Sequence, residues 1–505
     1  MSNTIDSNIV GLSYAEEETI KTLPTTPTWY LLEPNSYTDF GAEVKVTPRM
    51  PINSSRQRQK GVVTDLDASG GFQQDLTFDG LTRLLQGVFF ADIREHPTTA
   101  PMNSTAVTIT GVTASSDTYA AAAGLDVFAA DDIVYASGFT SAANNGLQVV
   151  VSAGATALVV GDGLADETPP AAAKIVTVGH QFASGTLEVD TTTGTWPRLN
   201  RASGSKDFTD FGLTPGEWIY VGGDSAATLF ATAACNGWMR VRSVAAAYIE
   251  IDKSAGTLVA DAGTSKTIQV FMGDVLKNET SPVRRTYQIE RSLGEDDNGT
   301  MSEYLIGAVP SEFTLNVKQG EILTCDVSFI GCDVEHRDGT TEVKSGTRPA
   351  LVTTDAFNAT SDVSRIEMSL VTEGTSNASS LFAFLTDLTI KVNNSISAEK
   401  AVATLGAFGV TAGDFVVNGD VSVYFADTTS VAAIRANSDV TIDAILVKEN
   451  KGVTIDMPLI TLGDGRLKVE KDKAVTLPLN MEAAESDLGH TLAMGFFSYL
   501  PTVAG

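Results

Sequence analysis

Asp414-Phe-Val-Val-Asn-Gly-Asp-Val-Ser-Val-Tyr-Phe425 alternates apolar and polar residues, and Val440-Thr-Ile-Asp-Ala-Ile-Leu-Val447 repeats the texture soon after. Period two belongs to a strand with one buried face, because successive side chains point to opposite sides of a sheet. The same reading covers Glu312-Phe-Thr-Leu-Asn-Val-Lys318, Arg365-Ile-Glu-Met-Ser-Leu-Val371, Leu388-Thr-Ile-Lys-Val392 and Arg466-Leu-Lys-Val-Glu470. From Thr286 onward the chain is therefore predicted to be strand-rich, and the fold class is mainly β. One helix stands against this background. In Asp79-Gly-Leu-Thr-Arg-Leu-Leu-Gln-Gly-Val-Phe-Phe-Ala-Asp92, residues Leu81, Leu84, Leu85, Val88 and Phe89 fall on one helical face, with Asp79 as the expected N-cap. Residues 428–437 are read as a second, short helix.

Between about 101 and 275 the texture turns to Ala, Gly, Thr and Val, and two stretches resemble each other. One reads Val127-Phe-Ala-Ala-Asp-Asp-Ile-Val-Tyr-Ala-Ser-Gly138, then Asn145-Gly146, then Val149-Val-Val-Ser-Ala153. The other reads Leu213-Thr-Pro-Gly-Glu-Trp-Ile-Tyr-Val-Gly-Gly223, then Asn236-Gly237, then Val241-Arg-Ser-Val-Ala245. Each has an acidic turn entering an apolar strand, a Gly-containing loop, and an Asn-Gly pair opening the next strand. Asn-Gly is a turn signal because both residues tolerate positive φ. The expectation is two related β-modules, 101–182 and 183–275, with their junction near Gly179 to Gly185.

A chain of 505 residues is long enough for about three domains at ~100–200 residues each. Its net charge of -28, from 34 basic and 62 acidic residues, argues against a protein that grips nucleic acid, which needs clustered Lys and Arg. The acidity is evenly spread. Residues 101–275 hold 17 acidic and 8 basic residues, net -9, and the other 330 are net -19. The first thirty residues lack a basic stretch followed by an apolar core, and there is no run of eighteen apolar residues, so neither a signal peptide nor a membrane span is expected. Three cysteines without repeating spacing suit a reducing compartment.

Signatures of chemistry are scarce. There is no Gly-Lys pair for a P-loop, no Gly-x-Ser-x-Gly elbow, and no Cys-x-x-Cys or His-Glu-x-x-His. Cys325, Cys332 and His336 imitate a broken metal cluster, but Cys325 lies in an alternating strand and a structural zinc site wants four ligands. His96, His180, His336 and His490 are scattered. Asp65-x-Asp67-x-Ser69-Gly70 imitates the start of an EF-hand loop but has Leu76 at the twelfth position, so it is read as a turn. Gly161-Asp-Gly163 and Gly463-Asp-Gly465 are read as hairpin turns. No catalytic residue, cofactor site or metal site is assigned. Positive charge concentrates only at Arg49, Arg56, Arg58 and Lys60. This loop is a solvated loop, a contact with the acidic surface of another copy, or a nucleic-acid patch; the second reading makes these four residues candidate inter-subunit contacts.

A set of phrases spread over most of the chain resembles the major tail tube proteins of long-tailed, non-contractile (siphovirus-type) bacteriophages. They are Trp29-Tyr-Leu-Leu-Glu-Pro34, Arg49-Met-Pro-Ile52, Arg56-Gln-Arg-Gln-Lys-Gly61 and Asp65-Leu-Asp-Ala68. Further along come Asp207-Phe-Thr-Asp-Phe-Gly-Leu-Thr-Pro-Gly-Glu-Trp-Ile-Tyr-Val-Gly-Gly223, Gly237-Trp-Met-Arg-Val241, Gly273-Asp-Val-Leu-Lys-Asn-Glu279 and Tyr287-Gln-Ile-Glu-Arg291. Asn393-Asn394, Leu405-Gly406 and Asn418-Gly-Asp-Val421 complete the set. The resemblance implies a tail-tube β-sandwich or barrel with one packed α-helix, formed by residues 1–100 and 276–505, plus inserted small β-modules of the immunoglobulin-like kind. It also implies homo-hexameric rings that stack into a hollow tube, a tape-measure protein and tail terminator or tip proteins as partners, and non-specific passage of double-stranded DNA. The location it implies is the virion tail, assembled in the bacterial cytoplasm. Six chains would carry about -168 formal charges, screened within ~8–10 Å, and a carboxylate wall repels phosphate. Proline-punctuated residues 24–34 are expected to be an extended arm that orders on assembly. The alternative is an adhesin or decoration protein whose β-modules bind cell-surface glycans, for which Trp196, Trp218 and Trp238 would have to be exposed.

Overall fold

The computed structural model describes residues 11–52, 54, 57–161, 163–296, 299–339, 343–351, 354–382, 384–425 and 428–504. The chain opens with β1 (Gly11–Glu16), β2 (Tyr30–Leu32), β3 (Pro34–Thr47), β4 (Val62–Asp75) and helix α1 (Thr82–Phe89). Twelve short strands follow. The first six are β5 (Ile109–Thr113), β6 (Thr118–Ala121), β7 (Asp132–Ser137), β8 (Gly146–Gly154), β9 (Ala157–Val160) and β10 (Lys174–Gln181). The next six are β11 (Leu187–Asp190), β12 (Arg198–Arg201), β13 (Trp218–Val221), β14 (Gly237–Ala245), β15 (Tyr248–Ser254) and β16 (Gln269–Met272).

The remainder forms β17 (Asp274–Lys277), β18 (Tyr287–Asp296), β19 (Gly299–Lys318), β20 (Thr324–Gly331), β21 (Asp333–Arg337), β22 (Val363–Leu370) and β23 (Leu385–Asn393). It continues through β24 (Ser397–Lys400), β25 (Ala407–Thr411), β26 (Val416–Tyr424), helix α2 (Thr429–Ala436), β27 (Val440–Lys448), β28 (Lys451–Asp464), β29 (Thr476–Ala483) and β30 (Ala493–Phe497). Among the described residues the protein is mainly β, with α1 the packed helix and α2 lying in the 428–437 segment read as a short helix.

Two long strands shape the body, and both change partners at a proline. Before Pro310, β19 pairs with β18 and β21; beyond it, Glu312–Lys318 pairs with β23, while β20 runs along Val309–Asn316 with a register shift at Pro310. Likewise β28 pairs with β30 over Gly452–Asp456 and with β29 over Ile460–Asp464, with Pro458 between the two segments. Proline cannot donate to a ladder and is tolerated inside sheets at bulges, where the strand bends. The bends fold a sixteen-stranded sheet over one apolar core. Helix α1 plugs that core with Leu84, Leu85, Val88 and Phe89, all buried as the spacing predicts. Asn394 ties helix to bend, donating to the carbonyls of Val88 (2.9 Å) and Pro310 (3.0 Å).

Several local expectations are corrected. Asp79 does not cap α1, which starts at Thr82 and is preceded by Leu81; Asp79 instead pairs with Lys451 at 3.4 Å. Residues 24–34 are no free arm. Chain β1 pairs with β18 and β2, and Trp29 is fully buried against Tyr304 with its indole N–H on the Ser345 carbonyl. Residues 466–470 make only an isolated bridge, Lys468 to Thr476, and no strand. The Asp65–Ser69 segment lies inside β4, not in a turn. Of the two Gly-Asp-Gly segments, Gly463–Gly465 closes β28 with Asp464 and Gly465 at positive φ, and residue 162 of the other lies outside the described residues.

The twelve short strands run in the order β11-β12-β15-β14-β13-β16-β10-β7-β8-β9-β6-β5, which reads as one six-strand order followed by its mirror. Two separate cores match the halves, one from Ile109 to Ile175 and one from Phe182 to Met272. The halves also agree atom by atom. Asn145 accepts from the Phe139 N–H and donates to the Phe139 and Ser141 carbonyls; Asn236 does the same with Phe230 and Thr232. Val112 bridges Glu167, and Val189 bridges Asp261. The Ala129 N–H donates to Asp132 and the Thr214 N–H to Glu217. Both asparagines are extended (φ -103° and -111°), and only Gly146 and Gly237 take positive φ. The Asn-Gly pair is thus a side-chain clamp and a kink, not a two-residue hairpin turn. Each half is one continuous ladder with its outer strand bridged to the segment before its last strand, where an immunoglobulin domain has two separate sheets. The halves meet where β10 pairs antiparallel with β16, and a Cβ on Gly179 there would lie 2.3 Å from the Val270 carbonyl.

Gly87 tests the packing of α1. A Cβ there would sit 2.5 Å from the buried Tyr287 hydroxyl. Alanine gains about 1 kcal/mol of helix propensity, whereas forcing a methyl into a filled core costs about 1–3 kcal/mol. Gly87→Ala is expected to lower stability by a net of up to ~2 kcal/mol, read from the denaturation midpoint.

Candidate assembly surface

The hairpin β3–β4 lies on the core only at its base, where Leu66, Ala68 and Phe72 are buried. From Glu43 outward every residue of β3 is exposed, as are Val62, Val63 and Thr64 opposite. A strand pair with both faces wet has nothing to bury its side chains against, and isolated two-stranded ribbons are marginal. Yet this one carries Val44, Val46, Val62 and Val63, and its tip bears Met50 (80% exposed) and Ile52, which is fully exposed. Arg49, Arg58 and Lys60 stand exposed in the connecting loop, so three of the four predicted contact residues share this tip; Arg56 lies outside the described residues. An apolar ridge edged with positive charge is the composition of a surface meant to be covered.

A second hairpin flanks the first. Strands β24 and β25 form their own two-stranded sheet, with Val402 (99% exposed), Leu405 and Phe408 pointing outward. Lys400 joins the two hairpins, donating to both Asp65 oxygens at 2.8 Å and to Asp67 at 2.5 Å. The Lys400 hydrogen bond holds the Asp65 carboxyl below its ordinary range, and Asp65 and Asp67 in turn hold the ammonium of Lys400 above its own. The two carboxylates that imitate a calcium loop are therefore taken by a lysine 335 and 333 residues away. No local pattern in the sequence announces that partner. The Ala407 carbonyl accepts from Lys21 (2.6 Å) and its N–H donates to the Cys332 carbonyl (3.2 Å), seating β25 on the body.

The other candidates are structural in this setting. Cys235, Cys325 and Cys332 are free and buried, and burial raises all three thiols, Cys332 to about 11. His336 is exposed beside Glu303 at 3.2 Å, and among the described residues no three metal-ligating side chains converge. His180 packs between Phe182 and Phe211 and faces Asp132 at 3.1 Å; His490 is pushed down to about 4, first by burial and then by Lys277. Trp196, Trp218 and Trp238 are all buried, so none of the three is exposed as the glycan-binding alternative required.

A family described as phage tail tube protein matches residues 177–483, more than half of the chain, and the protein belongs to that family. No curated protein matches the sequence. No helix among the described residues is long and apolar enough to cross a membrane.

The link between the hairpins has a pH signature. A carboxylate with a lowered pKa contributes above its ordinary range and loses its contribution as pH falls through the lowered value. Amide exchange of residues 397–411 should stay slow down to below the ordinary Asp range and then accelerate. Lys400→Met should make it fast throughout, and unchanged exchange in that variant would dismiss the link.

Proposed function

We propose that this phage tail tube protein is a subunit of closed rings, hexameric on the family likeness, that stack into the hollow tail tube of a long-tailed, non-contractile phage. Double-stranded DNA passes through that tube during ejection, and a tape-measure protein occupies it beforehand. Terminator and tip proteins cap its ends. The role is structural rather than enzymatic, and assembly takes place in the host cytoplasm. Residues 1–100 and 276–505 form the wall, and residues 101–182 and 183–275 are modules set into it. The observation that carries the reading is the family match over 177–483, which runs through the second module and on into the body.

The physical features agree with it. Sheets close rings by pairing or covering their edges between copies, which leaves no edge open to aggregation. The exposed ridge of β3–β4 and the outward Val402 and Phe408 supply apolar area for a neighbouring copy. Arg49, Arg56, Arg58 and Lys60 then meet a surface that is acidic in any copy of a chain of net charge -28, so opposite charge sets register. The same acidity keeps DNA from sticking, because few cations are available to displace its counterions.

Negative-stain microscopy of the purified full chain should show rings or hollow tubes; dispersed monomers at high concentration, even with tail partners added, would overturn the proposal. Reversing Arg49, Arg58 and Lys60 to Glu should shorten or abolish tubes while leaving the circular dichroism of the subunit unchanged. Tubes of normal length from that variant would remove the basic loop from the contact.

A further inference from the structure

The second module meets the body across a patch of buried charge. From the module come Arg240 on β14 and Asp252 and Lys253 on β15; from the body come Arg365 on β22, Asp443 on β27 and Asp456 on β28. Arg240 donates to Asp252 at 2.8 Å, to both Asp456 oxygens at 3.1 and 3.2 Å, and to the Thr441 hydroxyl at 2.9 Å. Lys253 pairs with Asp443, whose other oxygen accepts from Arg365 at 2.8 Å. The six charges balance at three and three, with the module contributing two cations and one anion and the body the reverse. At the rim, Arg365 also pairs with Glu367 at 2.7 Å, and Arg242 reaches Asp487 at 2.5 Å. Arg240, Lys253, Asp443 and Asp456 are each at most 4% exposed.

Beside this patch lies an apolar one. Ile133, Val178, Trp218, Tyr220, Trp238 and Phe271 of the modules pack on Ile445, Phe497, Leu500 and Ala504 of the body, with the Trp238 and Phe497 rings edge to face at 5.0 Å. The first module has no counterpart of the charges. By the pairing of Ile133 with Val149 and of Trp218 with Arg240, Val149 stands where Arg240 stands in its twin.

We propose that the cluster Arg240, Asp252, Lys253, Arg365, Asp443 and Asp456 is a lock that fixes the module pair to the body, so that modules and wall move as one rigid body instead of swinging as an appended decoration. The lock belongs to the second module alone. A buried pair missing one partner leaves an uncompensated charge, so the lock is closed only when both surfaces are seated. Burial pushes Asp456 up to about 6, with Arg240 opposing the rise, while Asp252 and Asp456 hold Arg240 charged against its own burial. The inference rests on the division into modules and wall proposed above, but its test reads the unassembled subunit, so a failure to form tubes does not bear on it.

The test is amide exchange on the full chain carrying Lys253→Met, Asp443→Leu, or both. Either single variant should speed exchange in β14, β15 and β27 together by at least about tenfold, a shift of ~1.4 kcal/mol, and the double variant should return to within about threefold of the parent. The first module's β8 and β9 should not change. Single variants without effect, acceleration on one side of the junction only, or effects that multiply in the double variant would each overturn the lock. If the single variants do not fold, the double variant decides: folding with parental exchange supports it, and failure to fold overturns it.

Discussion

A strand has two hydrogen-bonding edges, and β19 serves four partner strands. It does so by exchanging them at Pro310, where the missing N–H ends one ladder and a bulge starts the next. The arrangement of the body follows from this exchange and its twin at Pro458. The first segment of β19 carries β18, β1 and β2 with the buried Trp29; the second carries β20, β4 and β23. Through β4 the bend also sets the direction in which the exposed hairpin leaves the core. Helix α1 and Asn394 hold the inside of the same bend, so the position of the candidate assembly surface depends on a proline far from it in sequence.

What could be read from the chain alone divides by distance. Alternation of apolar residues located β22, β23, β26 and β27, and the 3.6-residue spacing located the buried face of α1, because both patterns are imposed by neighbours in sequence. Residues 466–470 alternate as well, yet they meet a partner only at the Lys468–Thr476 bridge, and alternation without a continuous partner makes no strand. Asn145 and Asn236 were conspicuous for a reason that did not hold. Their value lies in three side-chain hydrogen bonds to a loop four to six residues earlier, and positive φ falls only on the glycines after them. The pairs Lys400–Asp65, Lys253–Asp443 and Arg240–Asp456 were invisible, since their partners stand 190 to 335 residues apart and nothing local marks the pairing.

The even spread of acidic residues takes on more meaning once burial is known. A formal charge of -28 suggests a uniformly repulsive exterior, but part of the acidity never meets solvent. Asp443 and Asp456 are spent against Arg240, Lys253 and Arg365, and Glu217 against Arg94. The cations so engaged are withdrawn from the surface too. What remains outside is a solvated excess of carboxylates, interspersed with exposed cations such as Arg49, Arg58, Lys60, Arg466 and Lys473.

The junction between the twelve-strand sheet and the body joins two kinds of patch with different consequences. The apolar cluster around Trp238 and Phe497 supplies affinity without direction, because apolar burial scales with area and tolerates sliding. The charge cluster supplies little net affinity, since desolvating six charges costs about as much as their attraction returns, but it tolerates no displacement. A slip of one residue along β14 would bring Val241 or Met239 to Asp456 and leave a carboxylate buried without its cation. The first half of that sheet, whose equivalent position is Val149, has the apolar part of this arrangement only. Its orientation is therefore inherited from its twin through the pairing of β10 with β16, and the second half of the twelve-strand sheet is the one whose placement on the body is specified.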